Sequence, residues 1–351
     1  MRPEASSKRL HGVTRAQARM QEFNIPARYQ RLDIGRAQPS DLFPLVIGIL
    51  GDEAVKMAAA SPEQSTDGLR LRPEDPSALH FAATFLHSYV QSRPADPSAG
   101  ELLLLGAGAY YLSDLAGSSS VLSREAASHE TDRDEWATTL QWALEPNWAR
   151  VPTLPATPKT TNHRSLTNAL QEYFAIGFAR EEAIAACESL RAQAYSSGSV
   201  RELLMADILA GVTKKRLRNA ARHVLPIYSS IPEDNWDAAL RKPDFMKELW
   251  PSQHAFGENG LFQGRSAVIQ MPTSAGKTRG IELVIRSAFY SGRATLAVVV
   301  APFRALCSEI TTFLQNAFYG ENVAINELSD ALEPDYSSLL RGLWGRNSPF
   351  L

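Results

Sequence analysis

Residues 266–310 read SAVIQMPTSAGKTRGIELVIRSAFYSGRATLAVVVAPFRALCSEI. A short apolar run at 267–271 leads into Pro272, Thr273, Ser274, Ala275, Gly276, Lys277 and Thr278. After it Ile281, Leu283, Val284, Ile285 and Ala288 recur at helical spacing. The predicted order is strand, turn, helix. A turn of this composition suits phosphate: consecutive backbone N–H groups face the anion, a lysine reaches the outer phosphates and a hydroxyl serves Mg²⁺. Gly276, Lys277 and Thr278 supply those parts, and the helix that follows points the positive end of its dipole at the same place. The usual pattern, G-x-x-x-x-G-K-[ST], has glycine where this chain has Met271, so the flanking strand and helix carry much of the reading.

Residues 295–300, TLAVVV, are rich in β-branched side chains and predict a second buried strand. Ala301, Pro302, Phe303, Arg304, Ala305 and Leu306 follow. A proline there stops the ladder, and Arg304 falls at the carboxyl edge of the sheet, where open α/β sheets bind ligands. The alternative for Arg304 is a solvated charge at a helix start. Residues 322–327 read as a third strand and 347–351 as the opening of another.

M-P-T-S-A-G-K-T followed by A-P-F-R-A-L-C-S-E resembles motifs I and Ia of superfamily 2 helicases, nearest the DExH branch that includes Ski-like RNA helicases and archaeal repair helicases. Upstream, Leu249-Trp250-Pro251-Ser252-Gln253 is similar to that branch's Q-like element. The resemblance spans residues 249–329. It implies that Gln253 reads adenine, that residues 272–278 bind ATP, with Lys277 catalytic and Thr278 on Mg²⁺, and that Pro302 and Arg304 lie along DNA or RNA. It also implies an acidic D-E-x-H box and a second RecA-like domain further on. No D-E-x-H or D-E-A-D tetrad occurs in the chain, and Asp134-Glu135-Trp136 has no apolar strand before it. The expectation is therefore a helicase N-terminal portion cut before its box, weak in nucleotide binding and poor in hydrolysis by itself. The large helical prefix adds a likeness to multi-component prokaryotic helicases, including those of phage defence.

The whole chain has 351 residues, a hydrophobic fraction of 44% and a formal net charge of −2. That is ordinary for a globular protein of two or three domains, and it gives no global basic signature for nucleic acid. Cys187 and Cys307 stand far apart without metal spacing, which predicts a reducing, cytoplasmic setting with no disulfides. The basic start, with Arg2, Lys8, Arg9, Arg15 and Arg19, includes Glu4 and Glu22 and reads as a frayed helix more than a presequence. Apolar runs are too short or too interrupted to span a bilayer, so no membrane is expected.

Residues 41–60, 77–91 and 99–115 show helical periodicity between proline-bearing loops. Gly106-Ala107-Gly108-Ala109 predicts close helix approach, with Tyr110 and Tyr111 as packing residues. Residues 128–135 look like a polar loop or helix start without metal-ligand spacing. Pro152, Pro155 and Pro158 mark a linker. Beyond it Leu166, Leu170, Tyr173, Phe174 and Phe178 form one apolar stripe, and Ser199 with Glu202 fits a capping box opening a helix that ends near Gly211. Lys214, Lys215, Arg216, Arg218 and Arg222 are the densest basic cluster, suited to a phosphate backbone or to a solvated helix face.

The predicted fold is α plus α/β: helical regions at 1–150 and 151–240, then at 241–351 the start of a RecA-like P-loop domain with a mostly parallel sheet. The predicted function is an ATP-dependent helicase or translocase, with a protein partner on the helical region. Two alternatives stay open: another P-loop ATPase, or a non-catalytic helical interaction module with a vestigial ATP-binding half.

Overall fold

The computed structural model describes residues 39–327 apart from 61–69, 93–95, 130–132, 147 and 273–274. The basic start, Glu130 and Asp132, Thr273 and Ser274, and the strand expected at 347–351 lie outside the described residues. Two compact units divide the chain, Met1–Gln263 and Gly264–Leu351.

The first unit is built from helices: α1 Pro39–Ala59, α2 Pro76–Ser92, α3 Ala99–Leu112, α4 Ala116–His129, α5 Glu135–Leu144, α6 Thr161–Ile176, α7 Arg180–Ser197, α8 Val200–Asn219, α9 Ala221–Ser229, α10 Glu233–Leu240 and α11 Pro251–Glu258. Local chemistry sets their ends. Asp134 caps α5 by accepting from the Ala137 N–H at 2.8 Å. The Ser199–Glu202 box opens α8, each side chain taking the other's backbone N–H. Gly177, at φ +94°, closes α6 in the left-handed region. The proline-bearing stretch after α5 runs inside this unit.

α8 is the axis of the unit, buried at every position from Met205 to Asn219 and packed on α1, α3, α5 and α7. Small residues make that possible. A Cβ on Gly108 would stand 2.8 Å from Ile208 Cγ2, and one on Gly211 3.3 Å from Leu112 Cδ2. Gly211 thus does not end the helix, as its sequence predicts; it lets α3 and α1 approach midway along it.

The basic cluster on α8 is neither a phosphate contact nor a solvated face over its first three members. Lys214 donates to the Ala58 carbonyl at the end of α1 and pairs with Glu188. Lys215 donates to Leu112 O at the end of α3, 2.7 Å, and pairs with Asp114 at 2.6 Å. Arg216 reaches Ala143 O and Leu144 O at the end of α5, 2.5 and 2.9 Å, and pairs with Glu248 at 2.8 Å. Three consecutive cations therefore close three helices whose last carbonyls have no intrahelical donor, each meeting the negative end of a helix dipole.

Between α5 and α6, His163 is buried with Nδ1 3.0 Å from Thr139 Oγ1 and its ring edge-on to Trp136. Burial lowers its pKa to about 4, against an upward pull from Glu135, Asp134 and Glu202. Above about pH 6.5 both folded and unfolded chains hold it neutral. As pH falls below that, only the unfolded chain takes the proton, so stability drops until the folded histidine titrates near pH 4. Thermal unfolding from pH 7 to 4 should show a loss on the order of 2–3 kcal/mol from this group. Identical pH slopes for the parent and His163→Gln would refute it.

In the second unit the expected parallel sheet is absent. No β-strand occurs among the described residues, and only an isolated bridge in the first unit joins Ala220 and Glu248. The runs at 267–271, 295–300 and 323–327 carry no regular secondary structure and pair with no strand among the described residues. Val268 is 102% exposed and Val300 88%. The physical reason is that β-branched composition favours an extended backbone but supplies no partner, and a strand is defined by the ladder beside it. Among the described residues of this unit two helices remain, α12 Lys277–Tyr290 and α13 Arg304–Ala317. They meet at a small cluster of Ile285, Leu314 and Phe318. Arg286 bridges them: it is fully buried and binds Glu282, Glu321 and Tyr290, donates to Ala317 O at the end of α13, and lies over the Phe318 ring at 4.2 Å.

Candidate phosphate-loop site

Gly276 is the residue on which the loop turns. Its φ of +81° is in the left-handed region, a conformation a β-carbon would strain, and it is the residue just before α12. The N-cap residue gives that helix no side-chain cap, and no acidic residue occupies its first turn. The first-turn N–H groups and the helix dipole both favour an anion there. Lys277, the first residue of α12, is exposed; Ala275, Gly276 and Thr278 are half-buried, and Pro272 is exposed. The turn-to-helix part of the sequence reading is therefore present in the structure.

α13 begins in the same manner. Phe303 precedes it without a side-chain cap, Arg304 is its first residue, and Pro302 stands just ahead. All three side chains are exposed. Lys277 and Arg304 thus each place a cation at an uncapped helix start.

Gln253 belongs to the first unit and is buried in α11, where its Oε1 accepts the Trp250 N–H at 2.7 Å. That bond closes the helix N-terminus from within. The segment ahead of it is fastened to the α8–α9 junction, since Leu249 N donates to Asn219 O and Ala221 N donates to Lys247 O, both at 2.9 Å. On the next residue, buried His254 sets Nδ1 2.9 Å from the Tyr228 hydroxyl. Burial takes its pKa down to about 3, with Arg70 adding to the effect.

Sequence reasoning missed how Arg279 and Arg286 share Glu282. Arg279 pairs with it at 2.9 Å one turn into α12, and Arg286 meets its other oxygen at the same distance. The i, i+3 and i, i+4 spacing of these three residues was the available signal.

Residues 250–341 match the DEAD/DEAH box helicase family. The match supports a helicase superfamily 2 member with an ATP-dependent, nucleic-acid-related function. It covers well under half of the chain, beginning just ahead of α11 and continuing through α13. No curated protein matches the sequence. No metal-ligand cluster of three or more His, Cys, Asp or Glu side chains occurs among the described residues, and no helix there is long and apolar enough to cross a membrane.

Proposed function

We propose that the DEAD/DEAH-matching region binds ATP with Mg²⁺ and serves a helicase or translocase acting on DNA or RNA, nearest in its motifs to the Ski-like and repair branch. The observation that carries this reading is Gly276 in the left-handed conformation opening an uncapped helix at Lys277. These residues fit a nucleotide's phosphates: first-turn N–H groups, a solvent-facing ammonium and a helix dipole converge on one turn. Thr278 offers a hydroxyl to the metal, which when bound would offset charge on the transferring phosphoryl group. On the motif resemblance, Pro302 and Arg304 follow the nucleic-acid backbone.

Binding of a fluorescent ATP analogue to the full chain in Mg²⁺ tests the reading. Lys277→Ala should weaken it roughly tenfold or more, because a hydrogen bond to a charged group contributes about 1.5–3 kcal/mol. Thr278→Ala should lose mainly the part that depends on Mg²⁺. Equal affinity in the parent and Lys277→Ala would sink the proposal.

A further inference from the structure

Four helices of the first unit frame a groove. Phe43 and Ile47 of α1, Tyr89 of α2, Leu105 of α3 and Leu204 of α8 line a cavity of about 470 Å³. All of these except Leu105 are half-buried. The Phe43 and Tyr89 rings stand 5.7 Å apart, and Tyr89 stacks on Phe85 at 6.0 Å. Apolar side chains held partly in water by four packed helices gain free energy when a second apolar surface covers them.

The rim of this groove is acidic. Asp96 accepts the Ser98 N–H at 2.8 Å and pairs with no cation among the described residues. Arg201 is divided between Glu101 at 2.8 Å and Asp134 at 2.5 Å, so carboxylates outnumber it. Such an edge repels phosphate and attracts a cationic side chain.

One stretch of the chain has the matching chemistry. Residues 1–38 carry eight Lys and Arg against three Asp and Glu, in a chain whose net charge is −2. Within them Phe23, Ile25, Tyr29, Leu32 and Ile34 are interspersed with Arg28 and Arg31. The stretch ends where α1 begins, at Pro39, and Phe43 follows about one turn later. From Ile34 to Pro39 the backbone can span about 17 Å, so these apolar residues reach the groove with no long loop to close. Tethering holds such a ligand at about millimolar effective concentration, an advantage over any free partner.

We infer that the groove is the docking site for the chain's own residues 23–34, with their apolar side chains over Phe43, Ile47 and Leu204 and an arginine at Asp96. The contact covers the junction of α1, α2, α3 and α8 and is independent of nucleotide binding.

The test is photocross-linking of the full chain carrying Tyr29→p-benzoylphenylalanine, with the products mapped by mass spectrometry. Attachment within one chain, to peptides containing Phe43, Tyr89 or Leu204, is the expected result. Asp96→Lys should lower that yield about two- to fivefold, the scale of one exposed ion pair. Arg28→Glu with Arg31→Glu should lower it at least as far while leaving every groove residue in place. Unchanged melting temperatures would confirm that the variants fold. Products confined to peptides outside the groove, or no product, would overturn the inference. Products found only at twice the chain mass would also overturn it, making a second copy the occupant. Parent-like yields in both charge variants would remove the acidic rim from the argument and refute the contact as proposed.

Discussion

Replacing Arg216 by methionine lowers the unfolding free energy of the first unit by about 3–5 kcal/mol, the range seen when one partner of a buried ion pair is removed. The side chain is 8% exposed and holds two carbonyls at the end of α5, the Glu248 carboxylate and the face of Tyr111 at 4.8 Å. Methionine fills much of the volume but has no N–H, so Ala143 O, Leu144 O and Glu248 lose donors in a place water reaches poorly. Against a typical total of about 5–15 kcal/mol, that loss is a large share. Glu248 keeps the Tyr111 hydroxyl at 2.9 Å, so it is not wholly stranded. Urea unfolding of the parent, Arg216→Met and the double variant Arg216→Met with Glu248→Met measures the effect. The double variant should recover part of the loss, since an apolar pair can replace a buried ionic one. A loss under about 1 kcal/mol in Arg216→Met would refute a central role for this contact.

Arg286→Met should release α13 from α12. Described apolar packing between these helices is confined to a small cluster, whereas Arg286 joins Glu282, Glu321 and the Ala317 carbonyl through one fully buried guanidinium. Removing it leaves Glu282, which is 1% exposed, paired with Arg279, and leaves Glu321 with the Tyr290 hydroxyl. The expected penalty, again about 3–5 kcal/mol, equals the contribution of about two buried apolar side chains at roughly 1.5–3 kcal/mol each, a large share of what so small a cluster supplies. Amide hydrogen exchange should show residues 304–317 losing protection in the variant, with α8 unchanged. Protection of α13 equal to that in the parent would show that the apolar contacts suffice.

The helices were legible because periodicity, caps and small-residue stripes are local signals. The Ser199–Glu202 box, the close approach at Gly106–Ala109 and the buried Tyr110 and Tyr111 all follow from residues a turn or two apart. Gly276, Lys277 and the helix after them were legible for the same reason. What failed depended on partners distant in sequence. The β-branched run at 295–300 states a preference for extended backbone and says nothing of a neighbouring strand, so the parallel sheet inferred from it is not found. Lys214, Lys215 and Arg216 form a charge run that sequence statistics assign to solvent or phosphate. Their acceptors at Ala58, Leu112 and Ala143 lie 156, 103 and 73 residues away. Gln253 matched a base-reading element, yet its oxygen closes its own helix, a contact that the i, i+3 spacing permits but does not announce.

The three helix-closing cations of α8 also impose an order on synthesis. α1, α3 and α5 leave the ribosome before the side chains that satisfy their last carbonyls have been made. At roughly 5–20 residues per second, the interval between the end of α5 and the end of α8 is on the order of 4–15 s. For that time the ends of those helices rely on water. Arrival of one helix then supplies donors to three helix ends at once.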